Sequence, residues 1–518
     1  MPAVRLVPFQ FNVSQAYILE FGERYIRFFK NYTQILDGFG NPYELETPYL
    51  GKDLFELDVN TQSADTIYIF HPDYEPRKLL RNGDADWTLT IMTGGGEFAS
   101  PHFPGCGTFH EQRMWYGGFN DNPLEIQASA VGDYENMVND PTDPSSAIDF
   151  LLVSGSVDKA RWMFSGGDHL LVGTGGGVWK VRSTLTGEAI SQENVNFERV
   201  VTVGTCEIPP VMVEDSILFV TRMKTTIRKI AYSLEADRMI TPSLMRIASH
   251  ITYGSNAAES GVVQMAFQKE PFPILWVVRK DGQLLGMTYD VQDRVYAWFR
   301  VVTDGRFESV AVISADGVED EVWVAVSRVI SGVEKRYLEC FTPINFYSNI
   351  VNGYFVHSGI TTTGGPTITG LDHLKGRSVV ALVDGVAYGP FRVSINGTIN
   401  IGVTGTVIHV GLPYTSKFEP MKLHTQTEQG TSRSKKQKIN RVTLCLYKTG
   451  LGVKVGPDAD KLRNLFSNEI AGGELFTGDI NYEFEGDWSN EATIHVEQSQ
   501  PLPMTVRGLI PRYSTEDE

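Results

Sequence analysis

A chain of 518 residues is too long for one hydrophobic core and leads us to expect two or more domains. Its 42% hydrophobic and 21% charged residues are ordinary for a globular protein, while 50 Gly, 25 Pro and 28 Phe favour short strands joined by many turns. A formal net charge of -17 argues against holding nucleic acid by neutralising its phosphates, although an acidic wall lets a polyanion pass without sticking.

Residues 1–60 carry "AYILEFGERYIRFF", two strands around a glycine turn, with alternation in the second. The first residues, "MPAVRLVPFQFNVSQAY", have no basic region, apolar run or small-residue cleavage site, and no apolar segment reaches membrane-spanning length. A protein kept in the cytosol until assembly is therefore expected.

Between residues 61 and 345 one pattern recurs: a polar residue, four or five apolar residues, a turn and a second, alternating strand. Its copies are "ADTIYIFHPDYEPRKLL", "EQRMWYGGFNDNPLEIQAS", "GDHLLVGTGGGVWKV", "EDSILFVTRMKTTIRKIAY", "FPILWVVRKDGQLLGMTYD" and "DEVWVAVSRVISGVEKRYLECF". Their first apolar residues, Ile67, Met114, Leu170, Ile217, Ile274 and Val322, are separated by 47, 56, 47, 57 and 48 residues. That spacing predicts a β-propeller of about six blades, each anchor on a buried strand. The tight Asp281-Gly282 turn then marks the centre of one blade. Short, wholly apolar strands suit positions covered on both faces. Trp87, Trp179, Tyr289 and "VYAWFRV" (295–301) are expected to fill the space between blades. An ordinary β-sandwich pair is the competing arrangement; the shared internal order of the copies weighs against it.

Residues 346–425 turn Gly- and Thr-rich and predict a small β-barrel or sandwich with turns at Asp384-Gly385 and Asn396-Gly397. Residues 426–518 form a last strand-rich portion, opened by the polar "TEQGTSRSKKQKINR", a loop or the beginning of an extended strand. Here Arg433, Lys435, Lys436, Lys438 and Arg441 make the densest positive patch of an acidic chain. Either this is a solvated loop, or it docks onto an acidic surface of a partner or of another copy.

Catalytic chemistry is not legible. "GTGGGVW" and "TGGGEF" lack the Lys-Ser/Thr of a phosphate loop, and "VSGSV" matches a serine elbow only loosely. The 10 His are scattered without an HExxH or HxH pair, and Cys106, Cys206, Cys340 and Cys445 without a CxxC read as free buried thiols. The carboxylates of "DGVEDE" and of the tail "STEDE" are neighbours on one segment, whereas acid/base work needs them across a cleft in different environments. No catalytic residue, metal ligand or cofactor is assigned. A propeller that binds or hydrolyses glycans, with carboxylates distant in sequence, stands as the alternative.

Taken together, "FQFNVSQAYILEFGERYIRFF", "TPYLGKDLFELDVNTQSADTIYIFHPDYEPRKLLR", "ILWVVRKDGQLLGMTYD", "GRFESVAVI", "GLDHLKGRSVVALVDG" and "VIHVGLPYTS" resemble the tail nozzle proteins of short-tailed bacteriophages, also called tail tubular protein B. The resemblance spans nearly the whole chain and rests on structural motifs, though the chain is shorter than many members of that family. It implies a structural virion protein that forms a homohexamer below the adaptor ring of the tail and continues the DNA ejection channel. Its implied partners are other copies of itself, the adaptor, a tail fibre or spike, and double-stranded DNA in transient, non-specific passage. Its implied fold joins a platform built from both termini to a peripheral propeller and small β-domains, matching the flank, repeat and flank seen in the sequence.

Overall fold

The computed structural model describes the chain apart from residues 1–3, 13–14, 153–158, 168, 186, 236, 316–318, 347–348, 425, 428–429, 433–434, 467–470 and 517–518. The fold is all-β, built of many small antiparallel sheets. By its contacts the chain divides into two units, Met1–Arg328 with Arg336–Thr342, and Val329–Lys335 with Pro343–Glu518.

In the first unit every apolar run of the repeat is the second strand of a sheet. The first repeat sheet comprises Asp58–Ser63, Thr66–His71, Tyr74–Gly83 and Asp86–Ile91, paired in that order. The second comprises Cys106–His110, Arg113–Gly117, Glu125–Ala128 and Ile148–Leu151, and the third Ala160–Ser165, Leu170–Thr174, Gly177–Ser183 and Val195–Val201. The fourth runs Val211–Val213, Ser216–Val220, Ile227–Ser233 and Arg238–Ile240, and the fifth Val262–Gln268, Ile274–Arg279, Leu284–Asp290 and Val295–Val301. The sixth has three strands, Arg306–Ala315, Glu319–Ile330 and Val333–Cys340. Residues 1–60 contribute a further sheet of Arg5–Asn12, Gln15–Gly22, Tyr25–Lys30, Thr33–Gln34 and Glu44–Glu46.

Side chains alternate along a strand, so a strand buried throughout must meet apolar surface on both sides. These second strands do so by serving two cores at once. Ile67 and Ile69 pack with the N-terminal sheet, while Tyr68 and Phe70 pack with Met114 and Tyr116 of the second repeat sheet. Trp115 turns to Leu170 and Val172 of the third, whose Leu171 meets Ile217 and Phe219 of the fourth. Leu218 and Val220 meet Leu275 and Val277 of the fifth, whose Trp276 and Val278 meet Val322 and Val324 of the sixth. Finally Trp323 and Ala325 return to Leu6, Ala16 and Ile18 of the N-terminal sheet. Among the described residues these seven sheets therefore share seven cores in a closed cycle, although no single sheet closes on itself.

Polar contacts between the first strands follow the same order. Gln62 Nε2 donates to Gln10 O (2.7 Å), Thr61 Oγ1 to Gly107 O (2.7 Å), and His110 Nδ1 lies 2.9 Å from Ser165 Oγ. Leu6 N–H donates to Ser309 Oγ (2.8 Å), Ser309 Oγ to Gln264 Oε1 (2.5 Å), and Gln264 Nε2 to Leu6 O (3.1 Å). This triangle ties the N-terminal sheet to the fifth and sixth.

Three expectations are revised. The sequence sets residues 1–60 apart from the repeat; their sheet packs with the first and sixth repeat sheets, because Gln15–Gly22 is a run covered on both faces like the repeat strands. Trp87, Trp179 and Tyr289 are core residues, but Val295–Val301 is the outer strand of its sheet, and Val295, Tyr296 and Phe299 are exposed. Trp298 and Val301 of that segment pack inward, Trp298 Nε1 donating to Leu244 O (3.2 Å). Of the cysteines, all free, Cys106 and Cys206 are buried while Cys340 and Cys445 are half-buried.

The Asp281-Gly282 hairpin folds as its sequence suggests. Gly282 adopts φ 89°, and a Cβ there would stand 2.7 Å from Arg306 Cβ, so the turn needs glycine for conformation and for space. Arg279 fixes it from below, bonding Asp281 twice (2.8 and 2.6 Å) and donating to Ile251 O and Tyr253 O (2.7 and 2.9 Å).

Among the described residues the second unit holds two cores. One belongs to a four-stranded sheet in the order His357–Gly364, Gly405–Leu412, Ser378–Val383, Val386–Arg392, covered by Ile368, Leu371, Leu374 and Ile399. Asp384-Gly385 is its tight hairpin, both residues at positive φ. The other core lies between two sheets, Phe476–Glu483, Gln437–Thr449, Val506–Thr515 and Ser416–Phe418, His495–Gln498, Val453–Gly456, Arg463–Asn464. Ser416–Phe418 falls before the boundary read at residue 425 yet pairs with Val496 to Gln498, a long-range pairing that three polar and aromatic residues do not announce.

Candidate functional site

The predicted basic strip opens the central strand of this C-terminal sandwich. Along Gln437–Thr449 the inward residues are Ile439, Val442, Leu444 and Leu446, leaving Lys438, Arg441, Thr443 and Cys445 on the opposite, open face; a register shift between Ile439 and Arg441 keeps the two basic residues there. Arg433 lies outside the described residues. Lys435 is half-buried and has a partner in the chain, whereas Lys436 is exposed and its Nζ sits 3.5 Å from Glu516 Oε2. The Glu516 N–H also donates to Lys436 O (3.0 Å), so the acidic tail, through Glu516, runs beside the strip. Arg441 Nε donates to Glu483 Oε1 (2.8 Å) across the sheet, and Lys438 stands in register with Ser514.

The rest of the open face is polar and regular. Thr443 Oγ1 donates to Asn481 Oδ1 (2.6 Å), Asn440 Nδ2 to Ser514 Oγ (2.9 Å), and Arg507 lies over the Tyr447 ring at 4.2 Å. Cys445 pairs with Asp479, whose hydrogen bond, reinforced by burial, pushes the thiol up and makes it a poor thiolate source. Exposed pairs of this kind contribute little individually, so they present charge without committing the surface to one arrangement.

Beside the strip, Gln437 bridges to Ser489, and Ser489 lines a cleft of about 300 Å³ with buried Ile439 and Phe484 and the charged Asp458, Lys461, Asp487, Glu491 and His495. Lys461 Nζ lies 3.8 Å from Asp458 and 3.6 Å from Asp487, and Lys422 Nζ is 2.5 Å from Glu491. Sequence reading missed this cleft. Its only sequence signal was the density of acidic residues in "VGPDADK" and "EGDWSNE", which chain order keeps apart.

The six anchors all fall on second strands, but not all on the same face. Ile67, Met114, Leu170, Ile217 and Val322 face the sheet that precedes their own. Ile274 is half-buried toward the sixth sheet, and Leu275 occupies the equivalent place. The alignment had slipped by one residue, which inverts the face of a strand.

The remaining candidates from the sequence have structural partners. Asp320 of "DGVEDE" accepts from Lys269 N–H (2.6 Å), Glu270 N–H (3.0 Å) and Ser314 Oγ (2.5 Å), and Glu321 accepts from Trp323 Nε1 (2.8 Å); residues 316–318 of that segment lie outside the described residues. "VSGSV" also lies outside them. Among the described residues no three His, Cys, Asp or Glu are placed to hold a metal ion, and no helix is long and apolar enough to cross a membrane. Compared with known proteins, the chain matches no family model and no curated protein.

Proposed function

We propose that the first unit is a seven-bladed β-propeller, with the N-terminal sheet as the blade between the sixth repeat and the first, and that the chain is the ring-forming nozzle of a short phage tail. The observation that carries the fold is the closed cycle of shared cores, which an open sandwich pair would lack. The motif set quoted above supports the nozzle, and the net charge of -17 suits a conduit that repels the DNA backbone. In this reading the protein is a homohexamer in the virion, contacts the adaptor and a fibre or spike, passes the genome without specific binding, and is not an enzyme.

The basic strip, with Lys435 and Lys436 just before the strand and Lys438 and Arg441 on its open face, is our candidate contact with a neighbouring copy or the adaptor. Charge reversal at Lys435 and Lys436 is expected to weaken ring formation while leaving the chain folded, because rim charges act on association more than on folding. Negative-stain imaging of purified protein, alone and with the adaptor, tests the reading: six-fold rings support it. A monomer or trimer that turns over a bacterial surface polysaccharide would replace it with the glycan-directed alternative.

A further inference from the structure

The core between the first and second repeat sheets is divided. One part is apolar, with Tyr68, Phe70, Met114, Tyr116 and Phe119. The other is filled by ionisable groups from three elements. On Glu125–Ala128, Ile126 and Ala128 face the third sheet, so alternation turns Glu125 and Gln127 to the opposite side. There they meet the connection between the first and second sheets, which carries Glu97 and His102, and the turn that carries Asp121 and Phe119.

The His102 ring stacks on Phe119 (4.1 Å between centroids, 4° between planes). Its Nδ1 is 3.0 Å from Asp121 Oδ2, while Nε2 faces Glu97 Oε1 at 3.8 Å, Glu125 Oε2 at 3.9 Å and Gln127 Nε2 at 3.5 Å. Gln127, 3% exposed, donates through Nε2 to Glu125 (3.0 Å) and Glu97 (3.2 Å), but its Oε1 has no hydrogen-bond partner among the described residues. Asp149, opposite Gln127 on the outer strand, adds a further negative charge. Three carboxylates thus face one imidazole, and a fourth stands beside Glu125.

We propose that this cluster is a pH-operated clasp that fastens the 93–104 connection to the second sheet when His102 is protonated. A neutral ring bonded to Asp121 through Nδ1–H presents a lone pair at Nε2, which offers nothing to Glu97 or Glu125. Protonation puts an N–H there and a positive charge among the carboxylates.

The carboxylates supply the sign. Burial, helped by Asp149, raises the Glu125 carboxyl and the charge of His102 opposes that rise, so a proton on the ring favours Glu125 in its ionised form, facing Nε2. Burial also pushes the Asp121 carboxyl up, but the hydrogen bond and charge of His102 outweigh it and hold that group below the usual range. Asp121 therefore keeps its side of the clasp until strongly acidic pH. Fastening should rise as pH falls and the cluster takes up a proton, and fail again when Asp121 is protonated.

Hydrogen exchange of the amides between residues 93 and 104, corrected for intrinsic rates, tests this directly. In the full chain the segment is expected to exchange roughly tenfold more slowly at pH 5.5 than at pH 7.5, the scale of one partly buried charge pair. His102→Gln should abolish the difference. An equal rate at the two pH values in the unaltered protein, or a difference that persists in His102→Gln, overturns the proposal. If His102→Gln lowers protection throughout its sheet, Glu125→Gln decides by the same rule, since it keeps the amide contact and removes the charge.

Discussion

The strand Leu170–Thr174 of the third repeat sheet is buried at every residue, whereas Gln437–Thr449 of the C-terminal sandwich buries only alternate ones. Both are interior strands of antiparallel sheets. The first lies between two neighbouring sheets and the second has one neighbour and one open face. Solvent access thus sets what a strand's sequence reveals: the sandwich strand declares its faces by alternation, and the repeat strand hides them, since both sides demand apolar residues.

The largest expected effect lies in a strand with two cores. Trp115→Ala removes a fully buried side chain between the second and third sheets and leaves His110 O without the indole N–H that donates to it (3.2 Å), at a cost of about 3–5 kcal/mol in urea unfolding. Tyr447→Ala on the open sandwich face, where the ring lies under Arg507, should cost about 1 kcal/mol or less. Comparable losses at the two sites would erase the distinction.

A sharper test compares adjacent residues. Leu275→Ala should cost about 2–5 kcal/mol and Ile274→Ala clearly less, because Leu275 is fully buried in the core shared with the fourth sheet and Ile274 is only half-buried. The reverse order would return Ile274 to the anchor position.

Ser309→Ala removes the hydroxyl that accepts from Leu6 and donates to Gln264, leaving buried groups unpaired where the sixth sheet meets the N-terminal one, with an expected loss of about 1–3 kcal/mol. Thr443→Ala in the open face, where water can replace the bond to Asn481, should stay within about 0.5 kcal/mol.

The smallest effect is one of pH. Burial raises the Glu20 carboxyl, against the opposing influence of the Tyr25 hydroxyl bonded to it (2.8 Å) and of Arg27. A carboxyl whose folded value is raised binds its proton more tightly when folded, so its ionisation lowers stability as pH climbs through that value. Glu20→Gln, which retains an acceptor for Tyr25, is expected to flatten the decline in thermal midpoint between pH 4.5 and 7. An unchanged slope would remove Glu20 as its source.

Much of the first unit was legible because period and turn chemistry are local. Six apolar runs at near-regular spacing located six second strands, and Asp281-Gly282 and Asp384-Gly385 located hairpins. The N-terminal sheet was equally legible in retrospect: Ile18, which faces the sixth sheet as the anchors face their preceding sheets, stands 49 residues before Ile67. It was set apart because residues 31–57 between them carry little strand pattern. The basic strip was found but not its ties to Glu516 and Glu483, and the His102 cluster went unseen because its members look ordinary one at a time.

The sequence by itself determined that the chain would make short antiparallel sheets, where most would begin and turn, and which residues would be apolar, since strand alternation and turn conformations are settled among near neighbours. Tertiary structure alone decided which core each face would join and which sheet would return to which. Leu6 and Ser309 meet across 303 residues, and Glu125 with His102 across a turn and a strand edge. Such contacts follow from burying every apolar face simultaneously, a condition on the whole chain that no local window contains.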